Sequence, residues 1–129
     1  MAQSSRGVTL PPNDHSAAVG RCFVRDVLLS WALSELVDTA VLLASELITN
    51  AVLHGRSELE LTIEISSTGV KVSAADMNSR RPVRQSTDPM ALDGRGIAIV
   101  DLLASQWGVT ATENGKVVWF CLDLPDSRD

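Results

Sequence analysis

Residues 45–55 read SELITNAVLHG and close a strongly apolar run, LVDTAVLLASELITNAVL at 36–53. A run of that length and hydrophobicity reads as a buried helix, yet Glu46, Asn50 and His54 recur in it every four residues. At about 100° per residue with Glu46 as zero, Asn50 falls at about 40°, His54 at about 80° and Thr39 at about 20°. A carboxylate, an amide and an imidazole share one stripe. Leu43, Leu47, Ala51 and Ala40 are expected to turn the other way toward a core, which makes the stripe the wet side of an amphipathic helix. Leu42 and Leu53 lie on the same stripe and point instead to a face that is partly covered or floors a pocket.

C-terminal to this helix, ELELTIEISS (58–67) alternates Leu59, Leu61, Ile63 and Ile65 with polar residues. That period of two predicts a strand with one wet face. Thr68 and Gly69 turn the chain into VKVSAAD (70–76), a second alternating strand, so the pair reads as a hairpin. Residues 77–93 carry Asn78, Pro82, Pro89 and several Arg, Ser and Asp without periodicity. A loop of that length in a small domain is more often a lid or binding element than an idle connection. GRGIAIVDLLASQW (94–107) then predicts a glycine-led amphipathic helix with Ile97, Val100, Leu103 or Ala104, and Trp107 on one side. GVTATENGKVVWFCLDL (108–124) closes the chain as a hairpin around an Asn-Gly turn.

N-terminal to the opening stretch, GVTLPP (7–12) predicts a short strand, and NDHS (13–16) offers Asn and Asp caps for a helix over 14–31. Its apolar stripe is expected to be Val19, Cys22, Phe23, Val27 and either Ala18 or Leu28. Ser34 is a candidate cap for the second helix. The strands come as hairpins rather than repeated crossovers, so the expected architecture is an α+β two-layer sandwich. Its sheet would be mixed and mostly antiparallel, with three helices on one face.

Composition bounds the function. The 129 residues fit one domain, 1–129, that buries about two-thirds of the surface its unfolded chain exposes. Hydrophobic residues make up 45% with two Phe, three Trp and no Tyr, so Leu, Val, Ile and Ala must build the core. A net charge of −5 with no basic block argues against nucleic acid as a partner. The N-terminal segment has no apolar leader, and no window is long and uncharged enough to span a membrane. The expectation is a cytoplasmic protein. Cys22 and Cys121 lack any C-x-x-C spacing and are expected to be free core thiols.

Two further features could carry chemistry. Gly94 and Gly96 open a helix whose first amides point toward a prospective anion, with Arg80, Arg81 and Arg95 nearby in sequence. Glycines also serve as ordinary turn residues, and loop arginines as solvated charge. Asp76 ends a strand after Ser73, Ala74 and Ala75, where a carboxylate could accept a hydrogen bond from an exocyclic amine or simply form a turn.

Taken together and in this order, these features resemble the GHKL superfamily of ATP-binding domains, most closely its single-domain bacterial group similar to anti-sigma-factor serine/threonine kinases. SELITNAVLHG is similar to the family's N box, ADMNSRRP (75–82) stands where its first glycine box belongs, and DGRGIAIVDLLASQWGV (93–109) resembles the second. The likeness runs from about Val8 to Leu124. The resemblance implies the histidine-kinase-like ATPase fold, ATP and Mg²⁺ as ligands, Glu46 as general base on an attacking hydroxyl, and Asn50 as the magnesium ligand. His54 would lie beside the nucleotide. Asp76 would bind the adenine amino group, with Asn78 beside it. Gly94 and Gly96, with the amides of Arg95 and Ile97, would cradle phosphates under a lid formed by 77–93.

The first glycine box departs from the family's D-x-G-x-G, reading Asp76-Met77-Asn78-Ser79-Arg80. Asn78 tolerates the left-handed conformation of a glycine. Arg80 either closes the adenine pocket or swings out to the phosphates. Two functions remain open at this stage. One is a protein kinase that phosphorylates an anti-anti-sigma-type protein and holds a sigma factor; the other is a non-catalytic binding module with a degenerate nucleotide site. The resemblance also implies a homodimer, for which the free sheet edge is one route.

Overall fold

The computed structural model describes residues 4–55, 58–76, 94–113 and 115–125, and at residues 53–55 and 94–97 the backbone alone. The elements in chain order are β1 (Ser4–Leu10), α1 (Ser16–Ser30), a 3₁₀ turn (Ser34–Leu36), α2 (Val37–Gly55), β2 (Leu59–Ile65), β3 (Gly69–Asp76), α3 (Gly94–Leu103), β4 (Gln106–Thr112) and β5 (Gly115–Asp123). The five strands lie in the order β1-β2-β3-β5-β4. Every neighbouring pair is antiparallel, so the sheet is not mixed. The fold is α+β, as the hairpin arrangement predicts. The edges among the described residues are β1 and β4.

The alternation that predicts the strands also sorts the two faces of the sheet. Leu59, Leu61, Ile63, Val70, Val72, Ala74, Val118, Phe120 and Leu122 are buried on the inner face. The helices cover them: α1 packs on β1 and β2, α2 on β2, β3 and β5, and α3 on β4. Burial of these side chains, together with Val24, Val27 and Leu28 of α1 and Leu43, Leu47 and Ile48 of α2, makes one continuous core. Glu60, Glu64 and Lys71 stand exposed on the outer face, with Trp119 and Cys121 half-buried there.

Helix α1 buries a different stripe from the expected one. Ser16, Gly20, Val24, Val27 and Leu28 face inward, whereas Val19 is half-exposed and Cys22 is exposed. The reason is Gly20. A Cβ there would collide with Cδ1 of Ile48, so the glycine leaves room for the Ile48 side chain between α1 and α2, and a larger residue would require that side chain to shift. A hydrophobicity count gives a glycine no weight and turns the helix wrongly. Of the two thiols placed in the core, only Cys121 is even half-buried.

The boundaries differ for local reasons. His15, not Asn13 or Asp14, is the N-cap of α1, and the Asn13 side chain instead accepts the His15 amide at 2.9 Å. The α1 C-terminus closes with Leu33 N–H donating to Leu28 C=O at 2.9 Å and Ala32 N–H to Leu29 C=O at 3.1 Å. This is the Schellman pattern with alanine where glycine is usual, and Ala32 accordingly has φ of 60°. Ser34 begins the 3₁₀ turn and makes no capping bond. Helix α3 stops at Leu103, which is exposed, because Ser105 donates both its amide and its hydroxyl to the Cys121 carbonyl, each at 2.9 Å, and draws the chain into β4. Trp107 therefore sits on a strand, with its Nε1 donating to Asp101 of α3 at 2.8 Å.

Candidate functional site

Helix α2 lies across β3 and β5, and this crossing builds the site. Leu43, Leu47, Asn50 and Ala51 follow spacings of four, three and one, the positions of a core-facing stripe. Asn50 thus takes a place the pattern reserves for an apolar side chain. It is 6% exposed, whereas Leu42 on the supposedly covered side is 43% exposed. The polar stripe is not the wet face of the helix at Asn50, and the four apolar residues do not point away from it.

Asn50 opens with Leu47 and Ala51 into a cleft completed by Ala74 and Asp76 of β3 and by Lys116 and Val118 of β5. Alternation puts Ala74 and Asp76 on the inner face, and Val118 and Lys116 likewise. The last recorded pair of the β3–β5 ladder is Ala75 with Val117, so one step further sets Asp76 opposite Lys116. The Asn50 side chain makes no hydrogen bond to any described residue. A buried amide left that way costs about 1–3 kcal/mol, which a ligand in the cleft would offset. Lys116 has no ion-pair partner among the described residues. Leu47, Ala51, Ala74 and Val118 give the cleft an apolar floor, around a free volume of about 10 Å³.

The other sequence-derived residues are placed as follows. Glu46 is half-buried one turn before Asn50 on α2 and does not line the cleft. His54 falls in the last turn of α2, with its side chain outside the described part. Gly94, Arg95 and Gly96 are the first three residues of α3 and Ile97 completes that turn, so the leading amides have no carbonyl a turn earlier to bond. Asn78, Arg80, Arg81 and the whole proposed lid at 77–93 lie outside the described residues, as does Asn114 of the Asn-Gly turn. Lys116 is the residue the sequence reading passes over. Counting back by two from Phe120 and Val118 would have placed it on the inner face, a cation on an otherwise apolar side.

A larger concavity lies at the other end of the sheet, between the β2–β3 turn and the start of β4, lined by Glu64, Ser66, Lys71, Gln106, Cys121 and Asp123 among others. It is open and polar, and it contains no buried polar group, so nothing there asks for a ligand. Burial pushes the Cys121 thiol pKa up; Lys71 opposes the shift, while Asp123 and Glu64 add to it. Among the described residues no three His, Cys, Asp or Glu cluster as a metal site, and no helix is long and apolar enough to cross a membrane.

Three comparisons bear on this site. A profile of the histidine kinase-like ATPase domain family matches residues 12–122. Among solved structures, the fold is similar to that in the crystal structure of the RsbU and RsbW domains of Rv1364c from Mycobacterium tuberculosis, with a TM-score of 0.70 at 19% identity over 94% of this chain. The match covers 32% of that protein's chain, so the present sequence spans about a third of it. No curated protein matches the chain significantly.

Proposed function

The chain belongs to the histidine kinase-like ATPase domain family, and from that premise we propose that it binds Mg-ATP in the cleft between α2, β3 and β5 and acts as a regulatory protein kinase of the anti-sigma type. The observation that carries the reading is Asn50, a buried amide without a described hydrogen-bond partner, in one cleft with Asp76. Membership of an ATPase family implies ATP binding. The finer roles rest on the resemblance of SELITNAVLHG, Asp76 and the glycine-led α3 to the motifs of anti-sigma-factor kinases.

The donor set suits a hard cation held jointly with phosphates, since one amide oxygen leaves most coordination positions to the nucleotide and water. Magnesium so bound would neutralise phosphate charge. Asn50 would hold it through Oδ1. Asp76 would accept a hydrogen bond from the exocyclic amine of adenine, against the apolar floor of Leu47, Ala51, Ala74 and Val118. The leading amides of α3, from Gly94 to Ile97, would donate hydrogen bonds to phosphate oxygens. Glu46 would take the proton from a serine or threonine hydroxyl of a protein substrate. As that oxygen bonds the γ-phosphorus, the bond to the β,γ-bridging oxygen breaks and ADP leaves. An anti-anti-sigma-type protein is the proposed phosphoacceptor and a sigma factor the alternative partner, with residues 77–93 as the lid.

Titration with a fluorescent ATP analogue, with and without Mg²⁺, tests the binding step. Binding should depend on magnesium and weaken by tenfold or more in Asn50→Ala and Asp76→Asn, on the scale of a lost charge-assisted contact. Absence of binding at millimolar nucleotide would overturn the proposal and leave a protein-binding scaffold. Transfer of label from ATP to a candidate partner, abolished in Glu46→Ala, tests the kinase step separately.

A further inference from the structure

We propose that Lys116 reads the base: its ammonium donates to the ring nitrogen N1 of adenine, beside the amino group that Asp76 accepts. The inference rests on the nucleotide reading above and adds to it a residue to which the family resemblance assigns no role.

The placement comes from the sheet. Asp76 and Lys116 end the paired stretch of β3 and β5 at opposite positions on the inner face, by continuation of the Ala75–Val117 register. Directly opposed residues of an antiparallel pair have Cβ atoms about 5 Å apart, on one face. Both side chains line the same cleft. A purine amino group and the adjacent ring nitrogen form a donor beside an acceptor, so a site that reads both needs an acceptor beside a donor. A carboxylate supplies only acceptors and an ammonium only donors. Asp76 and Lys116 are that pair, at the spacing of one strand.

Two observations separate this role from that of a solvated surface lysine. The stem of Lys116 follows the inner, apolar side of β5, next to Val118, rather than the outer face where Lys71 stands exposed. Its ammonium has no ion-pair partner among the described residues, so its three donors are available to a ligand. Lys116 is half-buried, so a hydrogen bond to an acceptor in the cleft forms partly shielded from competing water.

The test pairs a protein change with single-atom changes in the ligand, read by direct binding. Lys116→Met keeps the length of the side chain and should weaken ATP about tenfold, the scale of a charge-assisted hydrogen bond. Adenosine should weaken by the same factor, since the contact is to the base. In the parent protein 1-deaza-ATP, which lacks the N1 acceptor, should bind about tenfold more weakly than ATP, whereas Lys116→Met should bind the two equally. 7-Deaza-ATP should bind the parent like ATP. Unchanged ATP affinity in Lys116→Met overturns the proposal, as does a loss confined to ATP and absent with adenosine, which would make the lysine a phosphate contact. If Asp76→Asn abolishes binding while Lys116→Met does not alter it, the nucleotide site stands and only the role of the lysine falls. If the parent binds no nucleotide, both fall together.

Discussion

The two faces of the sheet carry polar residues in very different ways. On the outer face Glu60, Glu64 and Lys71 stand in water along β2 and β3, and their spacing follows strand alternation alone. On the inner face the strands present Leu, Ile, Val, Ala and Phe, until the β3–β5 ladder ends and Asp76, Lys116 and the facing Asn50 occur together. Charge on the outer face is inexpensive and uninformative, because water solvates it. On the inner face a buried polar atom must be desolvated, and Asn50, 6% exposed, is such a group, so its place in the cleft implies something that repays the loss. The same side-chain types mean different things on the two sides of one strand.

Leu61 and its neighbour Glu60 offer the strongest way to break that contrast. Leu61 is fully buried and lies beneath α1 near Gly20, and Leu61→Ala should cost about 2–5 kcal/mol through lost burial and the cavity left behind. Glu60→Ala, one residue away on the wet face, should change stability by no more than about 0.5 kcal/mol. Denaturant titration of both variants checks this. Comparable losses would mean that the outer face is also packed against something.

Asn50 sharpens the contrast on the inner face. Asn50→Leu replaces a buried amide lacking a described partner with an apolar side chain at an apolar position. Unfolding should become harder by about 1 kcal/mol, as the desolvation penalty disappears. Nucleotide binding should be lost in the same variant. A gain in stability together with a loss of ligand marks a residue kept for function against the preference of the fold. A destabilised variant would show that the amide has a structural partner after all.

What the sequence made legible follows the same division. The strands are read correctly because alternation is a direct consequence of one wet and one dry face, and Leu59 to Ile65 keep it without interruption. Helix α2 is read correctly in extent but misoriented around Asn50, because a polar residue is assumed to face water. Gly20 misleads in the opposite sense, since its value lies in the close approach of Ile48 and no hydrophobicity pattern records an absent side chain. The α1 terminus has no glycine to announce it, and Ala32 takes the left-handed conformation regardless. The candidate site is read through motif resemblance rather than periodicity, and the resemblance points to Asn50 and Asp76 but not to Lys116. Alternation along β5 puts Lys116 on the inner face, but its position opposite Asp76 depends on the pairing of β3 with β5, which is not written in either strand alone.

The smallest expected effect belongs to the outer face. Lys71 holds its ammonium 4.9 Å from the centre of the Trp119 ring and pairs in register with Cys121. Lys71→Met should lower stability by only about 0.5 kcal/mol, the scale of an exposed cation–π contact. Its electrostatic effect is easier to read. Burial already raises the Cys121 pKa and Lys71 opposes that shift, so removing the cation should push the thiol higher still. A thiol with a folded pKa above its unfolded value contributes its full stability below the unfolded value, and loses it as pH rises through the folded one. Lys71→Met should therefore extend that alkaline decline to higher pH. In a Cys22→Ser background, the pH at which iodoacetamide alkylates Cys121 should move upward when Lys71 is replaced. An unmoved or lowered midpoint would mean that water screens the outer face so fully that even side chains on directly paired residues do not sense one another.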